Sequence, residues 1–251
     1  MGLKDWFGGK KSQYRDKVKE AVSDGTLTRA KIEELEALRK ELDAEPISED
    51  RTTVRREAFN AAVDAVKSGG KLTSSEEGEL ARIQKFLALR DDQVDKTRLE
   101  VRRLKTVTEI SEGRLPVVSP ENSVLRGLKL EPEEIPHYSA AADLLECRDP
   151  GDAQGVKVTL GEPYRFGSAD GADLPMDRAE QKDTGFFLLT SRRILFKGSR
   201  RTFGHDFHTS SDINLYRDGL RLKTMSNHLL LKFRADGVSD VVATLMSQLK
   251  K

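Results

Sequence analysis

The sequence predicts an α+β protein: an N-terminal all-α domain of helical repeats, then a C-terminal β-barrel or sandwich capped by a helix. Three observations predict it. Residues 12–112 keep a helical period, with Ile32, Leu35, Leu38 and Leu42 on one arc, as are Ala58, Phe59, Ala62, Val63 and Val66, and Leu80, Ile83 and Leu87. From Tyr138 onward, short runs of β-branched and aromatic residues alternate with turn residues. Val238–Leu249 returns to an amphipathic helical period, with Val241, Val242, Leu245 and Leu249 on one side.

A chain of 251 residues has room for two domains of ordinary size. Charged residues make up 34% and hydrophobic ones 37%, which calls for many solvated helices and loops. No apolar run reaches the roughly 18 residues that span a bilayer, and the N-terminus lacks a secretory apolar core. Cys147 is the single cysteine, so no internal disulfide can form, a reducing cytoplasm fits, and the side chain reads as a small buried apolar group. Net charge is +1 over residues 1–115, −7 over 116–181 and +7 over 182–251. An acidic middle before a basic end invites an internal contact or an anionic partner.

Residues 1–11 set Leu3, Trp6 and Phe7 among Lys4, Lys10 and Lys11, a composition that can rest peripherally on the inner face of a membrane. Gly8 and Gly9 are expected to break a helix here, and Trp6 stands where myristoylation needs Ser or Thr. Packing of Trp6 on the helical domain is the other reading.

Five helices are expected near 12–23, 29–43, 49–68, 74–90 and 92–112. A repeat runs through this domain of residues 12–112: Ala-Val before Asp24-Gly25-Thr26-Leu27-Thr28 recurs before Gly69-Gly70-Lys71-Leu72-Thr73, each copy reading helix, tight turn, helix. Gly25 and Gly70 supply the left-handed conformation that ends the first helix, and Thr28 and Thr73 cap the second. Thr73 with Glu76 makes a capping box, whereas Thr28 meets Lys31 and does not. Neither turn reads as a metal or phosphate loop. An EF-hand register would place Glu20, Val22 and Lys31, or Ala65, Lys67 and Glu76, at ligand positions one, three and twelve. A phosphate loop would need glycine at Ala65 and Ser or Thr at Leu72. The repeated turn and following helix resemble the tellurite-resistance-B-like helical domains of bacteria.

Gly113, Pro116, Pro120, Pro132 and Pro136 interrupt the chain, so 113–136 reads as a connector, with a linker at 113–121 and the second domain from 122 to 251. Strands are expected at Tyr138–Arg148 and Val156–Leu160, then a long loop from Gly161 to Lys182. Gly185–Lys197 holds the densest aromatic and β-branched run, broken once by polar residues, and predicts a central hairpin. Strands at Thr202–Phe207, Ile213–Arg217, Leu220–Thr224 and His228–Phe233 follow, with Asp218-Gly219 and Ser226-Asn227 as hairpin turns. The spacing of Gly185, Thr190, Arg193 and Phe196 resembles the strand pair of bacterial PH-like and GRAM-like domains. Glu112–Pro116 and Leu128–Glu134 with His137 resemble the lead-in to such domains. The resemblance implies a barrel of about seven strands plugged at one end by the last helix, with Arg193 structural.

Arg192, Lys197, Arg200 and Arg201 flank the hairpin and are the candidate anion-binding residues. A charged sheet edge protected from aggregation is the alternative. Glu162, Asp170, Asp173, Asp177, Glu180 and Asp183 precede the hairpin closely enough to fold back over those cations as a displaceable cover. His205 and His208, three apart on a strand, face opposite ways and cannot share a metal. Ser191, Ser210 and Ser211 lack nucleophile-elbow glycines, and no dinucleotide fingerprint, cofactor motif or catalytic carboxylate pair emerges. Nucleic acid fits poorly, because no aromatic residues interleave with a basic stripe. The expectation is a non-enzymatic bacterial adaptor whose PH-like module binds protein or anionic lipid. The alternative is an enzyme whose site no motif betrays.

Overall fold

The computed structural model describes residues 3–147, 155–158, 160–162, 164, 172–176, 179–207, 213–223 and 228–249, with side chains from residue 9 onward. The chain is mixed α+β. Helices α1 (Leu3–Val22), α2 (Arg29–Glu41), α3 (Thr52–Ser68), α4 (Ser74–Phe86) and α5 (Asp95–Ser111) come first. Strands β1 (Pro136–Cys147), β2 (Val156–Lys157), β3 (Ala179–Thr190), β4 (Arg193–Gly198), β5 (Thr202–Asp206), β6 (Ile213–Tyr216), β7 (Gly219–Lys223) and β8 (His228–Phe233) follow, then α6 (Val238–Gln248). Backbone contacts divide the chain into two compact units, Met1–Thr108 and Glu109–Lys251.

In the first unit the apolar arcs form the core: Tyr14, Val18 and Val22 of α1, Leu35 of α2, Phe59, Ala62, Val63 and Val66 of α3, and Leu80 and Ile83 of α4 are buried. The first helix corrects one expectation, because its backbone runs from Leu3 straight through Gly8 and Gly9. Each glycine costs a helix only about 1 kcal/mol against alanine, whereas extending an already nucleated helix adds one hydrogen bond per residue. Residues 12–22 supply that nucleus.

The two glycine turns share a left-handed backbone, with φ +78° at Gly25 and +70° at Gly70. Gly25 is also required by packing, since a β-carbon would stand 2.8 Å from Val66 Cγ2, while at Gly70 it would meet nothing within 4 Å. Thr28 Oγ1 accepts from the Lys31 N–H, and Thr73 forms the full capping box with Glu76. The Lys31 ammonium sits inside the first turn, donating to Asp24 Oδ1 (2.8 Å) and Oδ2 (2.7 Å), the Ala21 carbonyl (2.8 Å) and Thr26 Oγ1 (3.0 Å). A tethered cation thus closes the turn.

The second unit is an eight-stranded antiparallel sheet in the order β2-β6-β7-β8-β1-β3-β4-β5. Strand β1 belongs to two meanders: it pairs β3 along its length and β8 from Ala142 to Cys147, with an irregularity between Leu144 and Leu145. Alternation sorts the side chains. Phe187, Leu189, Ile194 and Phe196 face one way and are buried, and Phe187 meets the edge of Phe233 at 5.2 Å. Leu188 and Leu195 face the other way, yet they are buried too, under Val118, Val124, Leu125, Leu128 and Leu130. The segment read as linker and lead-in therefore lies across the outer face of the β3–β4 hairpin. Its Val118 N–H donates to the Pro136 carbonyl at 2.8 Å, and His137 Nδ1 lies 2.8 Å from the Pro116 carbonyl oxygen.

Other expectations need correction. The long loop ends earlier than Lys182, because β3 begins at Ala179, and β2 keeps only two residues. The β6–β7 register pairs Tyr216 with Gly219, so Arg217 and Asp218, not Asp218 and Gly219, form the tip. Gly219 serves close packing instead: a β-carbon there would stand 2.3 Å from both Leu174 Cδ1 and the Leu231 carbonyl oxygen. Helix α6 is buried from Val238 through Met246 on all its faces, not on one stripe, since it packs against β1, β6 and β7. Cys147 is buried beside Leu145, Leu174, Tyr216 and Leu230. The Ser226-Asn227 turn lies outside the described residues.

Candidate functional site

The hairpin motif forms a closed polar knot. Thr190 ends β3, and its Oγ1 accepts from the Arg192 N–H (3.1 Å) and the Arg193 N–H (3.0 Å), tightening the two-residue turn. The same hydroxyl donates to Glu134 Oε1 at 2.7 Å. Arg193 grips both oxygens of Glu134, with Nε and Nη2 each at 2.9 Å, and Nη2 also donates to the Lys129 carbonyl at 3.0 Å. The Glu134 side chain is fully buried, so desolvation works to raise its pKa; the bonds from Arg193, the Glu131 N–H and Thr190 outweigh this and hold it below the usual carboxylate range. Arg193 and Thr190 fasten the lead-in to the hairpin.

The four candidate cations do not converge. Arg192 lies at the β3–β4 turn and pairs with Glu131 at 2.8 Å. Lys197 lies five positions along β4, roughly 16 Å away at strand rise. Its ammonium points at backbone oxygens, donating to the carbonyls of Ser123 (3.3 Å), Val124 (3.0 Å) and Arg126. It caps the short turn Ser123–Leu125 that lies over Leu195. Arg201 pairs with Glu146. Arg200 is exposed; its backbone N–H bonds to Asp183 Oδ2 at 2.8 Å, and its guanidinium has no ion-pair partner among the described residues. Three of the four cations thus have partners within the unit, and Arg200 and Arg201 are both exposed.

The acidic residues before the hairpin also take other partners. Asp173 makes a two-point bridge to Arg217 at 2.7 and 2.8 Å, and Glu180 pairs with Lys182. Asp183 accepts from Ser199 Oγ (2.7 Å) and from the N–H groups of Thr184 (2.8 Å), Arg200 (2.8 Å) and Arg201 (2.7 Å). Led by the Ser199 bond, these donors hold its carboxyl far below the ordinary range. The contact between acidic and basic segments is real at Asp183, but it is a backbone clamp on the β4–β5 turn, not a loose cover. Asp170 and Asp177 lie outside the described residues, as do His208, Ser210 and Ser211.

His205 is on β5 with its Nε2 buried and without a hydrogen-bond partner among the described residues, and burial lowers its pKa against the opposing pull of Asp206. Ser191 bonds the lead-in, accepting from the Ile135 N–H at 3.0 Å. Among the described residues, no group of three or more His, Cys, Asp or Glu is placed to hold a metal ion. Leu3, Trp6 and Phe7 all fall within the helical backbone of α1.

One feature of the sheet was not read from the sequence. Strand β5 ends the strand order, pairing with β4 alone among the described strands. The Phe207 N–H bonds to the Arg192 carbonyl and the Gly198 N–H to the Arg201 carbonyl, so the odd-numbered residues of β5 face β4. Thr202 and Gly204 therefore turn their backbone N–H and C=O groups away from β4, to an edge that no other described strand pairs with, beside the exposed Arg200. Strand spacing of Thr, Phe, Gly, His and Asp marks a strand but not which strand is last, and only the topology reveals it. Protein-family models, curated proteins and solved structures were compared with this chain, and none matches it.

Proposed function

We propose that this protein is a non-enzymatic bacterial adaptor of the cytoplasm, in which a helical repeat unit accompanies a PH-like module that binds a segment of a protein partner. The PH-like reading is supported by two meanders, β1-β3-β4-β5 and β6-β7-β8, joined through β1 and followed by a C-terminal helix buried in the unit. The repeat reading is supported by the matched turns: the N–H of Leu27 bonds to Glu79, and that of Leu72 to Thr108.

The open edge of β5 carries the binding proposal. A row of outward N–H and C=O groups is complementary to an extended backbone, and adding a strand satisfies them. Arg200 at one end gives an acidic residue of that segment a partner. Protein is favoured over anionic lipid at this module because Arg192, Lys197 and Arg201 already have internal partners. The test is affinity capture from native-cell lysate with wild-type protein and Thr202→Pro as baits. Proline there removes an outward N–H and leaves the β4 ladder intact. A protein retained by the wild type and lost from an equally stable Thr202→Pro supports the reading; identical retention contradicts it.

Continuity of α1 through Gly8 and Gly9 favours a second, peripheral contact with an anionic membrane surface through Leu3, Trp6 and Phe7. Trp6 is the single tryptophan, so its emission reports this contact directly. Vesicles rich in phosphatidylserine should shift it to the blue, and an unchanged spectrum would refute the contact.

A further inference from the structure

The first unit holds a groove of about 540 Å³ between α1 and α2, lined by Lys17, Glu20, Ala21, Asp24, Leu35 and Leu38, with Lys31, Glu34 and Glu41 around its rim. We propose that this groove docks a basic amphipathic helix of a protein partner. The surface is distinct in place and chemistry from the β5 edge, and the proposal does not rest on that reading.

Charge and shape argue for this occupant. Lys17 is bonded to Glu20 at 2.6 Å, and Lys31 is held in its turn by Asp24, so the two lysines are already matched. Glu34 and Glu41 are exposed, form no ion pair among the described residues, and leave the rim net acidic. Such a rim repels phosphate, which excludes a nucleic acid backbone or an anionic headgroup, and attracts Lys and Arg. The floor is apolar: Leu35 is buried, and the half-buried Leu38 and Ala21 leave apolar surface that an apolar side chain can cover. Glu34 and Glu41 lie two helical turns apart, about 10.5 Å along α2, with Leu38 between them. An incoming helix matches that pattern with two basic residues seven positions apart and an apolar residue between. Apolar contact supplies affinity, while the carboxylates set orientation and reject acidic competitors.

The full chain should bind a labelled helical peptide of about 14 residues, four turns, that repeats Arg-x-x-x-Leu-x-x-Arg. Fluorescence anisotropy should show saturable binding that weakens at least about tenfold in Glu34→Lys with Glu41→Lys, a 1.4 kcal/mol change. The same peptide with Arg replaced by Glu should fail on the wild type and bind the double variant. Glu34→Gln with Glu41→Gln serves if the charge reversal disturbs folding, and should weaken binding in the same direction. No saturable binding up to about 1 mM, the weakest specific range, overturns the proposal. So does equal affinity for the charge-reversed peptide. Sedimentation showing self-association abolished by the double variant would also overturn it, by making a second copy the occupant.

Discussion

Gly198 lies so close to Asp183 that a β-carbon on it would stand 2.1 Å from Asp183 Oδ2. The carboxylate needs that space because it reaches over β4 to collect the Ser199, Arg200 and Arg201 donors. Across the ladder, Gly185 pairs with Gly198, and a β-carbon on Gly185 would meet the Lys197 carbonyl oxygen at 2.1 Å. Gly198→Ala should therefore cost about 1–3 kcal/mol by overpacking, read as a lower urea midpoint. Gly185→Ala should cost at least as much, since its obstacle is backbone.

Arg193→Ala strands a fully buried carboxylate, and the expected loss is about 3–5 kcal/mol. Arg193→Lys should recover only part of it, because one ammonium cannot reproduce the two-point grip on Glu134. Urea midpoints of the three proteins at pH 7, with unchanged slopes, check this.

Glu134 has a folded pKa below its unfolded one, so the folded state binds fewer protons across that interval and stability rises with pH through it. The contribution is complete above the ordinary carboxylate range of about 4–5 and fades as pH falls toward the depressed value. Asp183 acts in the same direction at lower pH. Between pH 6 and pH 3 the wild type should lose more stability than Glu134→Gln, and parallel curves would show that Glu134 does not titrate as described.

Phe187→Ala and Leu195→Ala should each cost about 2–5 kcal/mol, although they sit on opposite faces of the hairpin. The Leu195 result is the more informative. It is buried only because residues 118–130 lie over it, so a loss below about 1 kcal/mol would mean that this segment does not stay seated.

The periodic features were legible in the sequence. Leucine and valine spacing located all five helices of the first unit, and the Gly185–Lys197 run located the hairpin. Helix ends shifted by a few residues where a left-handed residue stops the helix early, Asp43 (φ +50°) after α2 and Ala88 (φ +49°) after α4. Tertiary partnership was not legible. Lys197 has the composition of a surface cation, and nothing in its neighbours announces that three carbonyls some 70 residues earlier will claim it. The prolines of 113–136 spoke for a connector, but not for its apolar side chains closing a sheet face.

The edge of β5 is proposed to receive a partner strand. Hydrogen exchange on the protein, alone and bound to the partner recovered by capture, tests it at two amides. Free, the outward N–H groups of Thr202 and Gly204 should exchange quickly while those of Phe203 and His205, bonded to β4, are slow. Bound, all four should be slow. A complex that leaves Thr202 and Gly204 as fast as in the free protein, while protecting amides elsewhere, would contradict this reading.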